Sequence, residues 1–388
     1  MAKKILIVRP DSIGDALLGA SIIPYLARHF SQATISVVCQ PMLTELYEAC
    51  PYVFQVIALN KKQFCSDQIY RHQFLGDLHK QSFDLVLNPV YSRELSMDPL
   101  ATQISANRSI AFRVPSRRNR FDFPFRYNRA YTDLIDSPGL WKSELSRYAD
   151  LLEALNIKHS QLMPHMWIPQ QYESFADDFF KQNNMNTEKT IAFFAGAQST
   201  HRLYEKYGAA LQAVVGGADF TVLVFGAQSD AGINKKNTVD LSSRVIDLSG
   251  TTTLLQTAAL LKRCRLAFGA ETGLAHMACA VGVNNVIVLG GGHFGRFMPY
   301  SPLTSSVVLP LSCFGCDWKC RYKKTYCVQD VDSGVLARVL EEVLKKPNSH
   351  KPRIFLQDQR LYQTGWDKPT WQYPRNLLDM SAVDVIMI

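Results

Sequence analysis

The stretch Lys3–Asp15, KKILIVRPDSIGD, decides the fold. Ile5-Leu6-Ile7-Val8 is wholly apolar and mostly β-branched, the pattern of a strand buried on both faces. Arg9-Pro10-Asp11-Ser12-Ile13-Gly14-Asp15 breaks that run. From Ala16 to Phe30 apolar residues return at helical spacing, with Leu17, Leu18, Ile22, Ile23 and Leu26 on one stripe. A strand, a polar turn and a helix form the first half of a βαβ unit. Ligands of open α/β sheets bind at the carboxyl ends of the strands, where this turn lies. Asp15 therefore stands where such folds do chemistry. Gly14 is alone in the turn, so a G-x-G-x-x-G dinucleotide fingerprint is absent.

Outward from this unit, strands are expected at Ala33–Cys39, Val53–Leu59, Phe83–Asn88 and Ser109–Phe112, with helices at Met42–Ala49, Asp67–Gln81 and Leu145–Leu155. Pro89-Val90-Tyr91-Ser92-Arg93-Glu94 is a second polar loop at a strand end. Ser160–Asn186 carries Pro164 and Pro169, breaks the alternation and reads as a link between domains. A second series begins at Thr190–Phe194 and continues through strands near 220–225, 244–248, 266–269 and 285–289, with helices at Leu254–Arg263 and Leu274–Val281. Such β/α alternation predicts parallel sheets with helices on both faces. The expected division is residues 1–165, 187–348 and a tail, 349–388. The tail reads as irregular chain packed on the domains.

With 388 residues, 47% of them apolar and 20% charged, the chain is long enough for two cores and too apolar for extensive disorder. The net charge of +8 suits an anionic ligand or membrane surface. A nucleic-acid partner is not expected, because no dense basic stripe with interleaved aromatics is present. The nearest candidate, Arg113–Arg120 (RVPSRRNR), fits either a solvated loop or docking to anionic lipid or glycolipid. Only four apolar residues precede Arg9, too few for a signal peptide, and no uncharged apolar run approaches bilayer length. The expected location is cytoplasmic, with peripheral contact on the inner face of the inner membrane as an option. Cys39, Cys50, Cys65, Cys264 and Cys279 are scattered in or near apolar segments and read as reduced thiols.

Three strand-end turns carry candidate chemistry. Asp15 fits either a helix N-terminal carboxylate, with Ser12 or Asp15 capping, or a general base that takes a proton from an acceptor hydroxyl. In Phe268–His276 (FGAETGLAH) an apolar strand meets a turn of small residues and a helix, whose N-terminus favours an anion such as a diphosphate. His276 fits either a donor to a phosphate oxygen or a partly buried packing residue of the helix. In Phe194–Tyr204, Gly196 is followed by Arg202, a residue type that clamps phosphate through two N–H groups. Gly290-Gly291-Gly292-His293 predicts close approach of a ligand or of the other domain, or else a flexible loop.

Together these residues resemble glycosyltransferase family 9, the ADP-heptose:lipopolysaccharide heptosyltransferases. The opening KILIVRPDSIGDALL is similar to that family's first strand and its (R/P)-x-x-x-(L/I)-G-D turn. Leu248–Leu254 and Glu271–Ala280 are similar to its L-x-G-x-x-x-L and D-(S/T)-G-x-x-H-x-A-x-A segments. Gly196 through Arg202 and Tyr204 is similar to a third, in which lysine is usual. The resemblance implies a GT-B fold: two Rossmann-like α/β domains, the first for the acceptor and the second for the nucleotide sugar. It implies that Asp15 is the base of an inverting transfer and that Gly196, Arg202, Glu271, Thr272, Gly273, Leu274 and His276 bind the donor, ADP-heptose by default. Arg9, Ser12, Tyr91 and Arg93 are the acceptor-side candidates. The acceptor implied is a lipopolysaccharide core or related cell-surface glycan, and no cofactor is required for catalysis. Glu271 in place of Asp and Arg202 in place of Lys depart from the pattern and leave the donor open.

Cys313-x2-Cys316-x3-Cys320-x6-Cys327 has the donor set of a thiolate metal site, structural Zn or Fe, and is also readable as reduced thiols packing the loop, with a disulfide disfavoured by a reducing compartment. Some relatives that glycosylate autotransporter proteins look similar in having an iron-binding cysteine finger, which keeps a protein acceptor as an alternative. A catalytically inactive nucleotide-sugar-binding protein is another. Asp330-Val331-Asp332 imitates a DxD metal motif, but the helix that follows predicts capping by Asp332 or Ser333.

Overall fold

The computed structural model describes residues 4–94, 96–113, 128–139, 142–216, 218–241, 244–374 and 379–388. The chain divides into two compact units: Met1–Gly139 with Glu144–Trp167, and Leu140–Ser143 with Ile168–Ile388.

The first unit has six strands: β1 (Lys4–Arg9), β2 (Thr34–Cys39), β3 (Val53–Ala58), β4 (Phe83–Asn88), β5 (Ala106–Phe112) and β6 (Asp133–Ile135). All neighbours are parallel, in the order β3-β2-β1-β4-β5-β6. The order reverses at β1, which lies between β2 and β4, so the turn after β1 occupies the switch point of the sheet. Central position accounts for the apolar run: Ile5 to Val8 are buried, whereas edge strand β3 leaves Phe54 exposed. The expected helix from Ala16 to Phe30 is two helices, Ile13–Ala20 and Ile23–His29. Pro24 explains the break. It has no N–H to donate and its ring would collide with the carbonyl four residues earlier, but it is tolerated in the first turn of a new helix.

The second unit continues with β7 (Thr190–Phe194), β8 (Thr221–Val224), β9 (Arg244–Asp247), β10 (Leu266–Ala270), β11 (Asn285–Val288), β12 (Thr304–Val308), β13 (Arg353–Leu356) and β14 (Asp384–Met387). These form one parallel sheet ordered β14-β13-β12-β11-β10-β7-β8-β9. The order reverses between β7 and β10. The turns after those two strands carry Gly196 and Arg202 on one side and Glu271 to His276 on the other. Beneath them Phe193, Tyr204, Tyr207 and Phe268 are wholly buried and pack ring against ring, 4.8–5.9 Å between centroids. The Tyr204 hydroxyl donates to the Val331 carbonyl at 3.1 Å.

Two sequence expectations are corrected here. The stretch read as a link carries the helix Gln170–Gln182, with Pro169 as its N-cap residue. Ala176 and Phe180 are buried, and Arg263 pairs with Glu173 and Asp177 at 2.8 and 2.6 Å. The tail is not irregular throughout: β13 and β14 extend the second sheet, and Ile354, Phe355 and Leu356 are fully buried. Each strand has only four residues, and prolines and polar residues separate them, so no long apolar period marks them.

Candidate functional site

In the first unit Asp15 lies in the first turn of the helix Ile13–Ala20, whose N-cap is Ser12. Ser12 does not cap the helix with its side chain. Its hydroxyl donates to Asp15 Oδ2 at 2.6 Å. That bond fixes the rotamer of a carboxylate left half-buried at the carboxyl end of β1. Arg9 holds the turn from below. One of its terminal nitrogens donates to the Asp15 carbonyl at 2.5 Å and pairs with Asp11 at 3.1 Å; the other donates to the Pro89 carbonyl at 3.4 Å. Burial opposes the Arg9 charge, but Asp11 and its other neighbours outweigh it and keep the guanidinium ionised. The same burial pushes the Asp11 carboxyl up to about 6, with Arg9 pulling the other way.

Three of the four acceptor-side candidates are interior. Arg9 is 2% exposed, Tyr91 4% and Arg93 5%, so none offers its side chain to a bound acceptor. Arg93 pairs with Asp98 at 2.8 Å in a buried cluster completed by Tyr131 and Asn88. Tyr91 lies under the guanidinium of Arg147, whose Cζ is 3.3 Å from the ring centroid. They are struts of the strand-end loops. A position in a polar loop suggested exposure, but a charge that finds a full set of partners can be buried. Of the basic run Arg113–Arg120, only Arg113 lies within the described residues; it pairs with Asp136 at 2.7 Å.

In the second unit Glu271 follows β10 and precedes the helix Gly273–Ala280. It is 3% exposed, and both its oxygens lie within hydrogen-bond distance of His293 Nδ1, at 2.8 and 3.0 Å. Arg202 donates to the Glu271 carbonyl at 3.2 Å and lies 3.9 Å from its carboxylate. Burial alone would push the Glu271 carboxyl up; His293, Arg202 and His276 outweigh it and hold it below its ordinary value. Thr272 Oγ1 and Arg202 Nε are buried polar atoms with no hydrogen-bond partner among the described residues. Gly273 and Leu274 open the helix and are half-buried. Its backbone N–H groups, an unpartnered hydroxyl and a guanidinium share one sheet edge, an arrangement suited to a phosphate-bearing ligand. His276 is 3% exposed, stacks on Tyr300 and meets its hydroxyl at 2.9 Å. Gly196 is packed closely under Asp230: a Cβ there would stand 2.2 Å from the Asp230 carboxyl carbon.

Sequence reasoning missed His293 as the partner of Glu271 and Tyr300 as the partner of His276. The signal for His293 was its place directly after β11, the neighbour of β10, which puts the two turns side by side. The three glycines before it do admit a close approach, but to this unit's own cysteine loop. A Cβ on Gly291 would stand 2.4 Å from Phe314, and on Gly292 2.3 Å from Trp318.

Cys313, Cys316, Cys320 and Cys327 line one small cavity and carry free thiols. Burial, then the neighbouring thiols, push Cys313 up to about 11 and Cys327 up to about 12. Among the described residues no three His, Cys, Asp or Glu side chains converge closely enough to hold an ion. The donor set is that of a metal site, but the side-chain positions are not. Asp332 caps the helix Ser333–Lys345, accepting from the Gly334 and Val335 N–H groups at 2.8 and 3.0 Å.

A profile of glycosyltransferase family 9 (heptosyltransferase) matches residues 72–326. The chain belongs to glycosyltransferase family 9. It is 22% identical over 376 residues to lipooligosaccharide heptosyltransferase 2 of Haemophilus ducreyi, covering 93% of this chain and 97% of that protein. Among solved structures it is similar to the family 9 glycosyl transferase from Veillonella parvula, with a TM-score of 0.72, 18% identity and coverage of 89% and 97% of the two chains. The E. coli heptosyltransferase WaaC with ADP-2-deoxy-2-fluoro heptose gives a TM-score of 0.61, 15% identity and coverage of 87% and 99%. These likenesses show the fold, GT-B, and the family makes this chain a glycosyltransferase. Among the described residues no helix is long and apolar enough to cross a membrane.

Proposed function

We propose that this family 9 glycosyltransferase moves a heptose, with inversion, from ADP-heptose to a hydroxyl of a lipopolysaccharide core or related cell-surface glycan. The observation that carries the reading is the Asp15 carboxylate, held by Ser12 over a buried arginine at the switch point of the first sheet. Asp15 takes the proton of the acceptor hydroxyl. The acceptor oxygen forms a bond to the anomeric carbon as the bond from that carbon to the diphosphate breaks, and ADP leaves with the electron pair. The departing charge falls to the N-terminus of the helix Gly273–Ala280, the Thr272 hydroxyl and Arg202, protein groups in place of a metal ion. The ADP-heptose analogue on WaaC and the name of the Haemophilus relative support this donor and acceptor class. For the cysteine loop we propose a structural role, with Phe314 and Trp318 seated on the glycines beside His293.

The test is a thermal-shift and hydrolysis screen of nucleotide sugars, followed by transfer assays on core glycan and on protein acceptors. ADP-heptose should stabilise the protein, and Asp15→Ala should abolish transfer while donor binding persists. Preference for a UDP- or GDP-sugar would overturn the donor. Transfer by Asp15→Ala would overturn the base. Binding without transfer to any acceptor would leave a nucleotide-sugar-binding protein, and modification of protein alone would overturn the glycan acceptor. Elemental analysis of the same preparation reads Zn or Fe directly; a stoichiometric ion would require the four thiols to converge.

A further inference from the structure

The cysteine loop has an outer face that the transfer chemistry does not use. Lys319, Arg321 and Lys323 are exposed there, and none has a carboxylate partner among the described residues. The acidic residues nearby are taken up elsewhere: Asp317 by Arg296 at 3.4 Å, Asp330 by Lys324, and Asp358 by Arg360 at 2.8 Å. Lys319, Arg321 and Tyr322 border an open cleft. The segment between β13 and β14 joins this face. Lys368 Nζ lies 5.6 Å from the Tyr326 ring centroid, and Tyr326 packs edge-on against Tyr322 at 6.0 Å. The segment is anchored at its base, where the Tyr362 hydroxyl donates to the Pro369 carbonyl at 3.0 Å and Ser312 N–H donates to Thr370 at 2.8 Å. Its tip carries Trp366, 99% exposed, with Leu361 47% exposed nearby in the chain. Asp367 sits beside Trp366 and subtracts one charge, leaving the face clearly positive.

We infer that this face docks the protein on an anionic lipid bilayer. A tryptophan fully in water on an anchored tip loses nothing by entering a headgroup region, where its amphipathic ring is favoured. Unpaired basic side chains around it meet the negative surface potential of an anionic leaflet. Stacking of single-stranded nucleic acid on the tyrosines fits less well, because their rings are already covered by cations: Arg321 over Tyr322 at 5.3 Å, Lys324 and Lys368 over Tyr326. The seat differs from the basic run Arg113–Arg120 that sequence alone suggests. The inference goes beyond the transfer reaction and is read without a transfer assay, so either can fail alone.

The test is sedimentation of the full chain with vesicles of phosphatidylglycerol and phosphatidylethanolamine, against vesicles of phosphatidylcholine. Binding to the anionic vesicles and its loss in 1 M salt are expected. The triple variant Lys319→Gln, Arg321→Gln, Lys323→Gln should weaken binding roughly a hundredfold, about fivefold per charge. Trp366→Phe should keep most of the binding but remove a vesicle-induced blue shift in tryptophan emission. These exposed positions leave folding intact, which the melting temperature of each variant checks. Equal charge removal at Arg117, Arg118 and Arg120 should cost far less. The inference is overturned if anionic vesicles are not bound, if the Arg117/118/120 variant loses as much as the loop variant, or if a single-stranded oligonucleotide displaces the vesicles.

Discussion

At the scale of the residue, the turn after β1 works because a buried cation organises it. Arg9 gives up contact with solvent and spends its donors on the Asp15 carbonyl, the Pro89 carbonyl and Asp11. Gly19 leaves the room it needs: a Cβ there would stand 2.9 Å from Arg9 Nε. Asp15→Asn keeps the shape of the turn and removes the proposed base, so kcat should fall by roughly 10²–10⁴ with donor affinity unchanged, read by initial rates and calorimetry. Asp11 gives a prediction in pH. Its folded value of about 6 lies above the ordinary 3.8. Between those values the unfolded chain has lost the proton and the folded chain still holds it, so this carboxyl's contribution falls as pH rises through about 6 and is then constant. Relative to Asp11→Asn, the native protein should lose up to about 3 kcal/mol from pH 4 to pH 7 in denaturant titrations. Parallel profiles for the two proteins would show that Arg9 cancels the effect of burial.

At the scale of the element, the strands and turns that hold the candidate site were the most legible part of the chain. β1, β4, β7 and β10 are central strands, so their residues are almost all buried, and each ends in a polar turn that sequence reading located. What sequence reading missed depends on neighbours outside the local pattern. Asp98 lies only five residues from Arg93, but Tyr131 and Arg147, which complete the cover of Arg93 and Tyr91, come from other segments that no local pattern announces. The glycines after β11 announced a close approach without naming the partner, because Phe314 and Trp318 follow a further strand and turn. The helix Gln170–Gln182 was hidden by the prolines before it. Gly292→Ala tests the glycine packing. With a Cβ 2.3 Å from Trp318, the indole must move, at a cost of about 1–3 kcal/mol. The melting temperature of the second unit should fall by several degrees, together with a change in tryptophan emission. A neutral result would mean that the cysteine loop yields freely.

At the scale of the whole molecule, each unit has its own sheet and its own buried cluster, built on Leu6, Val8 and Val86 in one and on Phe193, Val286 and Val339 in the other. Two calorimetric transitions are therefore expected. If the donor turns belong to the second unit alone, ADP at a hundred times its Kd should stabilise that transition by about 2.7 kcal/mol and leave the other in place. A uniform shift of both would show that the units unfold as one. The two strands that the tail adds to the second sheet have a consequence for biosynthesis. Every residue of the first sheet has been translated once the ribosome passes Ile135, whereas the second sheet waits for Met387. At the usual pace of synthesis that interval is of the order of ten to fifty seconds. Within it, from Val308 until Leu356 has been added, the free edge of β12 has no β13 to pair with. The nascent chain then carries a finished domain beside a half-built one, and the unpaired β12 edge is the surface that chaperones would need to guard.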